Sequence, residues 1–184
     1  PWIAMALYAC ALLSKTVTAT LPVALAVVLW WKRRYSWSVD TPVLGARLVA
    51  GAAMGKLTSV LEQYRIGAVG EPWSLTLLER ALIAGRAFWF YLGKLAWPVD
   101  LAFVYPRWEV VVTAPAQLAW PAAAVAVLFV AFRCRRRLGD GPWVALVLFT
   151  VTVAPALGFF DVYPHRSSFV ADHFQYLASI GPLA

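Results

Sequence analysis

Charge is what this chain has least of. Charged residues fill 14% of its 184 positions and hydrophobic residues 62%, with a mean hydropathy of +0.71. A soluble domain carries about 25% charged and about 45–50% apolar residues, so a water-facing globule does not fit. Cysteine is nearly missing: Cys10 sits in an apolar run and Cys134 in a basic cluster. Neither a disulfide framework nor a metal-ligand spacing can be built from them. There is no Gly-x-Ser-x-Gly elbow, no phosphate-cradling Walker loop and no zinc signature. Internal repeats and low-complexity tracts are also lacking.

What remains is apolar, aromatic and unevenly basic. Ten Trp and seven Tyr suit a membrane–water interface, where amphipathic rings settle. Sixteen Lys and Arg against nine Asp and Glu leave a net charge of +7. Seven of those sixteen fall in "KRR" (Lys32–Arg34) and "RCRRR" (Arg133–Arg137), each directly after an apolar run. That placement marks cytoplasmic helix ends and argues against a nucleic-acid partner. The chain starts as if in mid-helix ("PWIAMALYACALL") and stops as if opening another ("SIGPLA"), which suggests an internal piece of a longer protein.

The expected fold is an all-α integral membrane domain over residues 1–184. About five transmembrane segments are expected, near 2–13, 16–31, 43–61, 117–132 and 143–160. The segment 77–97 is different. Thr76 and Glu79 have capping-box spacing, so a helix starts there. At about 100° per residue, Glu79, Arg86 and Lys94 share an arc of about 80°, opposite a broad aromatic face. Such a helix lies in the interface or packs at a cavity wall. Topology agrees: with both basic clusters cytoplasmic, 43–61 and 77–97 cannot both cross. Within 43–61, Gly51 and Gly55 have the small-xxx-small spacing that lets helices approach closely.

This arrangement places the loops 62–76, 98–116 and 161–175 and the interfacial helix 77–97 outside, together holding seven of the nine carboxylates and both histidines. The stretch "DVYPHRSSFVADHFQY" (Asp161–Tyr176) concentrates ionisable groups beside a span, where they are costly and often functional. Asp172 or His173 suits general acid–base work, and Arg166 suits phosphate. The plain alternative is a polar loop whose charges meet water. Metal binding by His165, His173 and the carboxylates matches no ligand pattern, so no metal is expected. Arg86, Lys94 and Arg107 lie among aromatic residues, which suits a phosphate headgroup or, more plainly, snorkelling side chains. Glu62 ends the third span as a possible site acid or a simple helix-terminal residue. Ser14-Lys15, polar between two apolar runs, faces a cavity or marks the interface.

Three segments carry a resemblance. "LLSKTVTATLP" (Leu12–Pro22), "ERALIAGRAFWFYLGKLAWPVDL…YPRWE" (Glu79–Glu109) and "YPHRSSFVADHFQYLASIG" (Tyr163–Gly181) occur in order and resemble bacterial polytopic proteins that carry tetratricopeptide repeats after a membrane domain. These are similar to the transmembrane and tetratricopeptide-repeat-containing O-mannosyltransferases of the GT-C glycosyltransferase superfamily. The resemblance implies a GT-C-like multi-helix bundle in the bacterial inner membrane. It implies sugar transfer from a polyprenyl-phosphate donor to an extracytoplasmic acceptor, typically a protein hydroxyl. Membrane lipid, the lipid-linked sugar and a protein acceptor would be the partners, and the lipid-linked sugar is a substrate, not a cofactor. The catalytic acid of such enzymes lies in the first external loop, which would precede Pro1. Arg166, Lys94, Arg86 and Arg107 would then stabilise the leaving lipid phosphate, with Tyr105, Glu62 and Tyr176 contacting substrate. Asp172 and His173 would support catalysis, His173 standing where the eukaryotic relatives commonly have Arg. Two other functions fit the same pattern: a non-catalytic anchor that presents the repeats, and a lipid or solute transporter with Arg47, Lys56 and Glu62 along its path.

Overall fold

The computed structural model describes residues 2–62, 64, 74–159 and 167–183. Among these the chain is all helical, with no strand. Its elements are α1 (Trp2–Ser14), a 3-10 turn (Thr16–Thr20), α2 (Leu21–Trp31), α3 (Asp40–Leu61), α4 (Leu77–Ala96), α5 (Pro115–Leu138) and α6 (Gly141–Val153). Two further 3-10 turns (Ala154–Ala156 and Asp172–Gln175) and the short α7 (Ile180–Leu183) complete it.

Two helices, α3 and α5, are long and apolar enough to cross a membrane. At about 1.5 Å per residue they reach about 33 and 36 Å, against about 30 Å of hydrocarbon. Neither is a core helix, since only Leu44 and Gly51 of α3 and Ala124 of α5 are buried. Val49, Leu57, Val125, Phe129 and Val130 point outward from them. So much apolar side chain on the outside asks for a lipid or protein neighbour. The other three apolar segments (Trp2–Ser14, Thr16–Trp31 and Gly141–Ala156) are shorter helices, so two of the five expected spans have full length.

The run expected as one helix over 16–31 is two elements. Pro22 has no N–H to give the Thr18 carbonyl, which instead accepts from Leu21, three residues on. Thr18 and Thr20 hydroxyls donate to the carbonyls of Lys15 and Val17, tightening the same turn. The Gly51/Gly55 pair also divides its labour. A Cβ on Gly51 would sit 2.6 Å from the Tyr8 hydroxyl and 3.1 Å from Ala19, so this glycine does permit a close approach. Gly55 faces open space.

The core gathers on α4. Its capping box is complete, with Thr76 Oγ1 accepting from Glu79 N–H and Glu79 accepting from Thr76 N–H. The broad apolar face is turned inward: Leu82, Ile83, Ala84, Ala87, Phe88 and Tyr91 are buried. Phe88 meets Phe149 of α6 edge-on at 5.5 Å, and Ala124, Val153, Val170 and Ala178 close the cluster. Gly85 lies against Pro121 of α5 so tightly that a Cβ would be 2.4 Å from the proline nitrogen. Beside it, Trp89 Nε1 donates to the Trp120 carbonyl at 3.1 Å. Both contacts fall in the first turns of α5.

Chain direction orders the two ends. The 3-10 turns at Thr16–Thr20 and Ala154–Ala156 touch, and α2 packs on α6, so these helices run antiparallel. Lys32–Arg34 and Arg133–Arg137 therefore share one end of the bundle. Lys15, the end of α6 and the Asp172–Gln175 turn share the other, where Lys15 Nζ donates to the His173 carbonyl at 3.5 Å.

Candidate functional site

At that second end, three irregular pieces are tied around α4. The loop after α4 turns back through Asp100, whose φ of 50° is a left-handed conformation that Asp tolerates better than most residues. Lys94 holds the turn, its ammonium donating to the carbonyls of Val99 and Asp100. Two of its three N–H donors are used in this way. Ser168 ties the later segment on: its hydroxyl accepts from Tyr105 N–H at 3.2 Å and donates to the Val170 carbonyl at 2.6 Å. The buried Tyr91 hydroxyl accepts from Ala171 N–H at 3.3 Å.

Asp172 sits at the centre. Its Oδ2 accepts from Ala102 N–H at 2.6 Å and from the Tyr105 hydroxyl at 2.7 Å. That hydroxyl also lies 2.9 Å from the Asp100 carbonyl, but it has one proton to donate. The charge-assisted bond to the carboxylate is the stronger of the two choices. Asp172 Oδ1, by contrast, is buried with no hydrogen-bond partner. The next residues repeat the pattern. His173 stacks on Phe103 at 4.4 Å with 14° between the rings, and its Nδ1 is buried and unpartnered. Gln175 is 7% exposed, and its Oε1 is unpartnered too. Among the described residues, three of the four buried side-chain atoms without a partner belong to this single turn. Buried polar groups are otherwise almost always satisfied, so the turn is set to receive something from outside the chain, water included.

Electrostatics follow from the packing. Burial, with Asp172 and Tyr105 close by, pushes the Tyr91 phenol far above its ordinary value, so it stays protonated. Burial lowers the His173 imidazole; nearby Lys15 pushes the same way, and Asp172 opposes them in part. The neutral ring therefore predominates at pH 7.

An aromatic wall continues from this knot. Phe90 meets Tyr105 at 4.9 Å and Trp108 at 6.0 Å, and Trp108 lies 6.3 Å from Phe169. Arg86 lies over the Trp108 ring at 4.3 Å, and Arg107 over Phe169 at 4.7 Å. Burial lowers the Arg86 guanidinium, which forms no hydrogen bond or ion pair among the described residues. Its in-plane donors remain open to an anion.

The sequence-predicted residues thus separate. Asp172, His173, Lys94 and Tyr105 converge in the knot, and Arg86 and Arg107 line the adjoining wall. Tyr176 is 71% exposed. Glu62, at the end of α3, lines a different cavity, whose wall includes Lys15 and Phe174. Arg166 and His165 lie outside the described residues. No group of three His, Cys, Asp or Glu comes together among the described residues. Tyr91 and Ser168 were not anticipated. Tyr91 had a signal, since it shares the helical face of Ala84, Ala87 and Phe88, whereas a lone serine has none.

No family model matches the chain, and neither a curated protein nor a solved structure shows significant similarity to it.

Proposed function

We propose that this chain is the lipid-phosphate-facing part of a membrane glycosyltransferase of the GT-C type. It moves a sugar from a polyprenyl-phosphate donor to a hydroxyl, on a protein, at the extracytoplasmic face of a bacterial inner membrane. In this reading α3 and α5 cross the bilayer and the three shorter apolar segments cross beside further helices. The basic clusters are cytoplasmic and the Asp172 end is periplasmic.

One observation carries the proposal: a carboxylate fixed through one oxygen by two donors, with the other oxygen buried and unpartnered. Asp172 Oδ1 accepts the acceptor's hydroxyl proton in a hydrogen bond and orients its oxygen toward the sugar C1. The new C–O bond forms as the bond from C1 to the phosphate oxygen breaks, and the phosphate leaves with that electron pair. Arg86, with open in-plane donors against Trp108, and the remaining N–H of Lys94 stabilise the charge that develops there. The hydroxyl proton passes along that hydrogen bond to Asp172 Oδ1 as the new bond to C1 forms. Aromatic walls keep bulk water from competing for the sugar.

Replacing Asp172 by Asn in the full-length protein tests this. Transfer from a polyprenyl-phosphate sugar should be lost while the thermal unfolding midpoint stays close to that of the wild type. Unchanged transfer would remove Asp172 from the site.

A further inference from the structure

The end of the bundle opposite the Asp172 knot concentrates positive charge. Lys32–Arg34 follow α2, Arg133 and Arg135–Arg137 close α5, and α6, which starts at Gly141, packs on both helices. Seven cations against the two carboxylates of Asp40 and Asp140 leave a net +5 here. Residues 30–41 and 129–144 are all described, so no charge of these segments is missing from that sum. None of the seven side chains forms an ion pair or hydrogen bond among the described residues. Asp40 accepts instead from Ser36 N–H at 2.7 Å. Two of the cations rest on rings, Lys32 over Trp31 at 4.1 Å and Arg135 over Phe132 at 4.2 Å. Such stacking leaves the in-plane N–H donors of an arginine open.

The surface beneath these cations specifies their partner. At about 100° per residue, with Arg133 set at 0°, Arg136 and Arg137 point to about 300° and 40° around α5. Val125, Phe129 and Val130 point to about 280°, 320° and 60° on the same scale, and the buried Ala124 to about 180°. Exposure agrees: the three arginines and the three apolar residues are exposed, while Arg135, at about 200°, is half-buried. One outward face of α5 is therefore apolar along its length and cationic at its end. Pro115–Phe132, eighteen residues, makes about 27 Å of helix against about 30 Å of hydrocarbon. The arginines thus emerge at the level of lipid phosphates, and Phe132 with Trp143, 5.3 Å from it, stands where interfacial rings settle. An acidic peptide or a nucleic acid would satisfy the arginines and leave the apolar face below them in water. A molecule with an anionic head and an apolar tail covers both.

We infer that this face of α5 binds anionic phospholipid of the cytoplasmic leaflet. The phosphate lies on Arg133, Arg136 and Arg137, and an acyl chain lies along Phe129, Val130 and Val125. The inference rests on α5 crossing the bilayer, as proposed above, and not on sugar transfer.

The test reconstitutes full-length protein in phosphatidylcholine vesicles that carry a trace of spin-labelled phosphatidylglycerol or phosphatidylcholine of identical chains. Electron paramagnetic resonance reads the fraction of each label slowed by the protein surface. Phosphatidylglycerol should associate about fivefold more strongly, the contribution of one basic residue at an anionic lipid. Combined Arg133→Gln, Arg136→Gln and Arg137→Gln should remove most of that preference, whereas Arg135→Gln, on the opposite side of the helix, should keep it. Raising salt to 1 M should weaken the preference in the unaltered protein, a reading that needs no variant to fold. Equal slowing of the two lipids, or a preference that survives the triple variant, would overturn the lipid face and leave the bilayer crossing intact. No slowed fraction from either lipid would overturn the crossing and the lipid face with it. Tight binding of duplex DNA or of an acidic peptide that phosphatidylglycerol fails to displace would assign the arginines to another partner and overturn the inference too.

Discussion

The Tyr105 phenol donates a 2.7 Å hydrogen bond to Oδ2 of Asp172 across 67 residues of sequence. It fixes one carboxylate oxygen and leaves Oδ1 without a partner. Tyr105→Phe removes that donor and leaves Ala102 N–H alone on Oδ2. A misplacement of about 1 Å at a reacting group can cost about 10²-fold, so kcat for sugar transfer should fall by about that factor with KM little changed. Steady-state kinetics at varied donor concentration separate the two. A change confined to KM would mean that Tyr105 binds substrate and does not aim the carboxylate.

Two glycines should respond in opposite ways. Gly85→Ala places a Cβ 2.4 Å from Pro121 nitrogen, so α4 and α5 must part. Overpacking of this kind costs about 1–3 kcal/mol. Gly55→Ala meets open space, and alanine is the better helix former by about 1 kcal/mol. Thermal unfolding in detergent should therefore show a lower midpoint for the first variant and an equal or higher one for the second.

Acid should loosen the Asp172 turn through His173. Its folded pKa lies below the ordinary histidine value of about 6.5, chiefly because of burial. The unfolded chain then binds the extra proton first as pH falls, so folding stability drops from about pH 6.5 downward and levels off below the folded pKa. A His173→Gln variant should lose that part of the pH dependence. Denaturant midpoints measured across this range would read it, and identical slopes for the two proteins would contradict it.

The cap on α4 is separable from the site. Thr76→Ala removes the hydroxyl that accepts from Glu79 N–H, which should cost about 1 kcal/mol, while Thr76→Ser should cost little. Hydrogen exchange at the first turn of α4 would report the difference, with Tyr91 and Lys94 unaffected further along.

How readily each feature could be read from the sequence followed its range along the chain. The Thr76–Glu79 box was plain because its partners are three residues apart. The polar turn at Asp172 stood out because it belongs to a stretch that concentrates ionisable groups in an otherwise apolar chain. Its link to Tyr105 could not be read, since the pairing depends on how the loop after Asp100 folds back. The Gly51–Gly55 spacing was visible but not its division into one packing contact and one open position, which depends on where Tyr8 and Ala19 arrive. Tyr176, grouped with the turn because it is a polar aromatic residue beside it, is 71% exposed, a burial that depends on the long-range fold and not on its neighbours in sequence.

The most direct test is transfer itself. Full-length protein in phosphatidylglycerol-containing vesicles, given a radiolabelled polyprenyl-phosphate sugar and a hydroxyl-bearing acceptor peptide, should label the peptide. Asp172→Asn should lower that labelling by about 10²-fold or more, and Thr76→Ser should not. Labelling of equal rate in Asp172→Asn, or none by the wild type with any polyprenyl-phosphate sugar, would contradict the assignment.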